Sequence, residues 1–101
     1  MKPTVGVLAK FIIKPGMGDE FMKFVNEGLL VVGRQPVTTL WIGFRITDTK
    51  YGAFAAFATE ADREALLAAG GPRLAPKYGY IFAEPLSFEK VDIVASRIVA
   101  S

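Results

Sequence analysis

Trp41, Gly43 and Arg45 recur at every second position of an alternating stretch, so on an extended chain their side chains share one face. An indole stacks on a flat ligand, a guanidinium stabilises a phenolate or enolate, and the glycine between them leaves space for a ring. The same pattern also fits an interface tryptophan beside an arginine paired across a subunit seam. Tyr51, Tyr78 and Tyr80 supply phenol groups that can hydrogen-bond a substrate oxygen, or serve as amphipathic fillers with wet hydroxyls. Asn26 would orient a carbonyl if it faced inward and is an ordinary surface residue if it does not. Lys10, alone among apolar strand residues, is either an anion partner or half of an interface ion pair.

The residue inventory removes most other chemistry. The chain of 101 residues has no His and no Cys, which excludes imidazole bases, thiolate nucleophiles, His-held haem and Cys-ligated metal centres. No metal site or cofactor motif is expected; Gly70-Gly71-Pro72 lacks the Lys-Ser/Thr pair of a phosphate loop and reads as a hinge. The net charge of +2 comes from scattered residues, so no nucleic-acid groove is expected. The longest uncharged stretch, Gln35 to Phe44, is too short to cross a bilayer, and Lys10 and Lys14 interrupt any secretory signal, so a cytoplasmic location is expected. Hydrophobic residues make up 51% of the chain, alongside ten glycines. That surplus over one small core points to a partner subunit, an apolar pocket, or both.

The elements that must position these residues follow from periodicity. Val5, Val7, Ala9, Phe11 and Ile13 form one parity of a strand over Thr4 to Lys14, ended by Pro15-Gly16. Gly18 or Asp19 caps a helix in which Phe21, Phe24, Val25, Gly28, Leu29 and Val32 share a face, closing at Gly33. After an extended turn at Gln35-Pro36, Leu40, Ile42, Phe44 and Ile46 alternate with Trp41, Gly43, Arg45 and Thr47. A turn at Asp48-Thr49-Lys50 leads into Tyr51 to Phe57, which predicts an antiparallel hairpin. Thr59 caps a second helix running to Ala69, with Glu60, Asp62, Arg63 and Glu64 read as its solvated start. A short helix over Pro72 to Phe82 and a last strand from Leu86 to Ala95 complete one domain over residues 1–101. The Phe21, Phe24 and Val25 stripe and the Phe54 and Phe57 pair are core. This order predicts an α+β, ferredoxin-like split βαβ fold in which helices cover one face of a four-stranded antiparallel sheet. The other face is free to meet a second copy in a homodimer.

In residues, the sequence resembles the antibiotic biosynthesis monooxygenase (ABM) domain of the dimeric α/β-barrel superfamily, from Val5 to Val94. The carriers are Lys14-Pro15-Gly16, Phe21 and Phe24, Gln35-Pro36-Val37, Thr39-Leu40-Trp41-Ile42-Gly43-Phe44-Arg45 and Tyr51-Gly52-Ala53-Phe54-Ala55-Ala56-Phe57. Ala83-Glu84-Pro85 and Glu89-Lys90-Val91-Asp92 close the series. The resemblance implies a homodimer and a small aromatic ligand. Some members oxidise quinols or aromatic polyketide intermediates with molecular oxygen and no metal or flavin. Others degrade haem, whose iron is held by a His that this chain lacks. The resemblance also implies an Asp near Ala55 and a His near Leu66, where this chain is apolar. Two expectations follow. One is a cofactor-independent monooxygenase of a quinol or polyketide-like substrate, in which Trp41 positions the ring, Arg45 stabilises the anion and Tyr51 binds an oxygen. The other is a catalytically silent, ligand-binding or stress-associated protein of the same fold.

Overall fold

A computed structural model of the chain describes residues 2–34, 37–69 and 71–99, leaving the turn expected at Gln35-Pro36 and the hinge glycine Gly70 outside the described residues. Strand β1 (Val5–Ile12) buries Val7, Ala9 and Phe11 on one parity, as the alternation predicts. Lys14, Pro15 and Gly16 turn the chain, and Gly16 adopts φ 82°, a left-handed conformation that favours glycine. Helix α1 (Gly18–Arg34) begins at Gly18 itself, so Gly18 and Asp19 are not caps; Asp19 and Glu20 lie in the first turn, where carboxylates suit the positive helix end. Phe21 and Phe24, one turn apart, are buried against the sheet.

Strands β2 (Thr38–Arg45) and β3 (Lys50–Phe57) form the expected hairpin. The Lys50 N–H donates to Thr47 Oγ1 at 3.1 Å inside the turn, while Ile46 leaves the strand and stands 65% exposed. Thr59 caps helix α2 (Glu60–Ala69), its Oγ1 accepting from the Asp62 N–H at 3.2 Å. Arg63 departs from the expected solvated helix start. It is buried, donating to the carbonyls of Gly6 at 3.3 Å and Val91 at 3.2 Å, with Glu60 3.3 Å away. Burial of so strongly charged a group is tolerated because these acceptors replace part of its hydration.

The single helix expected over Pro72 to Phe82 is divided into helix α3 (Gly71–Leu74) and a 3₁₀ segment (Ala75–Ile81). Pro76 has no amide hydrogen for the helical ladder, and Tyr78 then leaves helical geometry at φ −111°. Strand β4 (Ser87–Asp92) is shorter than expected because its neighbour runs out: Val5 pairs with Asp92, one last bond joins Ile93 N–H to the Thr4 carbonyl at 2.9 Å, and Val94 is fully exposed.

The sheet order is β2-β3-β1-β4, all antiparallel, with the helices on one face, as predicted for a ferredoxin-like α+β fold. On the opposite face lie Leu8, Ile12, Leu40, Ile42, Phe44 and Phe54, of which Ile42 is 49% and Phe44 41% exposed. Phe54, expected in the core beside Phe57, instead lies here, three residues from it along the strand and so on the other parity; its ring folds over Gly6 and that of Phe44 over Gly52, where any Cβ would collide. Among the described residues no helix is long and apolar enough to cross a membrane.

Candidate functional site

Pairing register builds the site. Three rungs cross β1, β3 and β2 on the helix-covered face: Val7–Ala55–Trp41, Ala9–Ala53–Gly43 and Phe11–Tyr51–Arg45. The middle rung carries only small side chains between two bulkier rungs, which leaves a trough across the strands. Helix α1 roofs it with Met22, Val25, Gly28, Leu29 and Val32, and α2 adds Leu66 and Leu67. The partly open cavity measures about 370 Å³, within the range of small-molecule sites. It therefore lies between sheet and helices, and the Trp41 face supplies most of its sheet lining, with Phe44 and Gly52 of the other parity also touching it.

Polarity is confined to a few groups. Arg45 supplies the only charged side chain on the lining and Tyr51 the only hydroxyl, and both stand on one rung. Among the described residues neither makes a side-chain hydrogen bond or ion pair, so both are free to meet a ligand oxygen. Tyr51 is held by the ring of Phe21, whose centroid is 4.4 Å away. The Trp41 indole lies over Gly43 so closely that a Cβ there would stand 3.0 Å from Cη2. Gly43 was expected to leave space for a ligand ring; Trp41 itself takes up that space.

The other candidates lie elsewhere. Lys10 is exposed and belongs to the opposite parity of β1, and Asn26 is exposed on α1 outside the cavity lining. Tyr78 and Tyr80 do not line the cavity: Tyr78 is buried with its ring centroid 5.5 Å from that of Phe24 and its O–H donating to Glu27, while the exposed Tyr80 donates to Glu20 at 2.9 Å. Lys77 also donates to Glu27 at 2.8 Å. The bonds from Lys77 and Tyr78 hold the Glu27 carboxyl below the usual range, and those from Tyr80 and Lys23 do the same for Glu20. The carboxylates in turn push both tyrosines above their ordinary value. These glutamates are partners the sequence did not reveal, because each meets a tyrosine more than fifty residues distant; only their spacing of two helical turns hints at a shared task.

No protein-family model matches the sequence, and no curated protein matches it. Solved structures do match. A protein of unknown function from Nitrosomonas europaea superposes with TM-score 0.86 at 25% identity, covering 98% of this chain and 97% of that one. The crystal structure of an antibiotic biosynthesis monooxygenase gives 0.76 at 17% identity over 90% and 99% of the two chains. A variant of SnoaB, a cofactor-independent oxygenase from Streptomyces nogalater, gives 0.72 at 18% identity over 99% and 100%. The chain has the antibiotic biosynthesis monooxygenase fold. Within this ABM fold, Ala55 and Leu66, the positions where a resemblance in residues implies Asp and His, both line the cavity and pack in one apolar cluster. The cavity of this ABM-type chain thus holds no carboxylate or imidazole to take a proton.

Proposed function

We propose that the protein is a homodimeric, cofactor-independent monooxygenase that oxidises a quinol or polyketide-like aromatic with molecular oxygen. The observation that carries this reading is the apolar cavity with Arg45 and Tyr51 unpaired on one rung of its wall. An electron-rich phenol loses its proton, and the resulting anion gives one electron to oxygen. The radicals join to form a C–O bond, and the hydroperoxide loses water, so that a ring methylene and one dioxygen become a carbonyl and one water. Trp41 positions the ring, Arg45 stabilises the anion and Tyr51 donates to a substrate oxygen. With no proton acceptor on the lining, the proton passes to solvent at the exposed Arg45. The partly exposed apolar face with Ile42 and Phe44 supports pairing of two sheets in the homodimer.

A second reading has its own observation. Ala55 and Leu66 leave the cavity without acid–base groups, which favours a silent binding protein for the same ligands. Oxygen consumption by metal-free and flavin-free protein with quinols and anthrone-like phenols, against a boiled control, separates the two. Uptake above the control supports the oxygenase. Quenching of Trp41 emission without uptake supports the binding protein.

A further inference from the structure

We infer that Gly28 is the residue that sets how large a ring system the cavity accepts, an inference that rests on the proposed aromatic ligand. Gly28 stands in the interior of α1, where glycine is the poorest residue after proline. Such a glycine needs a reason. It has no positive φ, so backbone conformation supplies none. Close packing supplies none either, since a Cβ built at Gly28 meets no heavy atom within 4 Å.

The sheet glycines differ. At Gly6, Gly52 and Gly43 the missing Cβ makes way for a ring of the chain itself, from Phe54, Phe44 and Trp41 in turn. At Gly18, Gly33 and Gly79 a Cβ is likewise unopposed, but these lie at helix ends or in the 3₁₀ segment and do not line the cavity. Gly28 alone among the described glycines combines a helix interior, an unopposed Cβ direction and a place on the cavity wall. The opposing floor is thinned at Ala9 and Ala53. Small residues on both walls fit a flat fused-ring guest, and a large side chain at 28 would shorten the space to that of a single ring.

The test is anaerobic calorimetric titration of wild type, Gly28→Ala and Gly28→Leu with hydroquinone and with anthrone. Wild type binds anthrone, Gly28→Leu weakens it at least about tenfold, hydroquinone affinity stays within about twofold, and Gly28→Ala falls between. Melting temperature is unchanged or raised in both variants, because each improves helix propensity. Gly28→Met gives the same reading if the leucine variant fails to fold. Wild-type anthrone affinity in Gly28→Leu or Gly28→Met overturns the inference and leaves the aromatic-ligand reading in place. Failure of wild type to bind either compound overturns both.

Discussion

Arg45 and Tyr51 matter because each presents a polar group to an apolar space with nothing else to bind. A guanidinium in water is screened, whereas one at the mouth of a cavity acts on its ligand through a lower dielectric. If Arg45 stabilises the reacting anion, Arg45→Ala lowers turnover at least about tenfold, equivalent to ~1.4 kcal/mol of transition-state stabilisation, without altering assembly. Steady-state oxygen uptake measures the first effect and sedimentation the second. Gly43→Ala makes a separate point. Its new Cβ would stand 3.0 Å from the Trp41 ring, so the indole must move. A shift of the emission maximum of this sole tryptophan reports the movement, and an unchanged spectrum shows that the ring tolerates the contact.

Elements come next in scale, and here packing decides what periodicity cannot. The burial of Val7, Ala9 and Phe11 was legible in their alternation, as was that of Phe21 and Phe24 in their spacing of three. The cavity side was not, because both parities of β2 are apolar: Leu40, Ile42 and Phe44 on one, Trp41 and Gly43 on the other. Arg63 was misleading for a related reason, since a run of charged residues at a helix start is solvated unless a neighbour covers it. Its removal tests the account: Arg63→Ala strips donors from the Gly6 and Val91 carbonyls and is expected to cost about 3 kcal/mol in denaturant unfolding.

The 3₁₀ segment is fastened to α1 by Glu20 and Glu27, which ties its stability to pH. Both carboxylates titrate below their ordinary value of 4.5, so their contribution is complete above that pH and is lost as pH falls through the lowered native values. Tyr78 and Tyr80 titrate above 10.0, so theirs is present below that pH and is lost as pH rises through the raised values. Melting temperature followed against pH should therefore fall at both extremes, and a Glu20→Gln, Glu27→Gln double variant should show a flatter acid limb.

At the scale of the whole molecule, an exposed apolar sheet face is a liability for a lone chain. Ile42→Asp places a charge in the middle of that face and should weaken self-association at least about tenfold in sedimentation equilibrium, if two copies meet there. A wild-type association constant in this variant would locate the interface elsewhere.

The three rungs of the cavity floor alternate along the same strands with the residues of that outer face. Ala53 stands beside Phe54, and Gly43 between Ile42 and Phe44. A guest in the trough and a neighbouring copy outside would press on opposite sides of a single layer of peptide. If either event shifts that layer, ligand binding and self-association become linked equilibria, each changing the other's constant by one common factor. The dissociation constant of the ligand would depend on protein concentration, and this small chain would sense its own abundance through three strands.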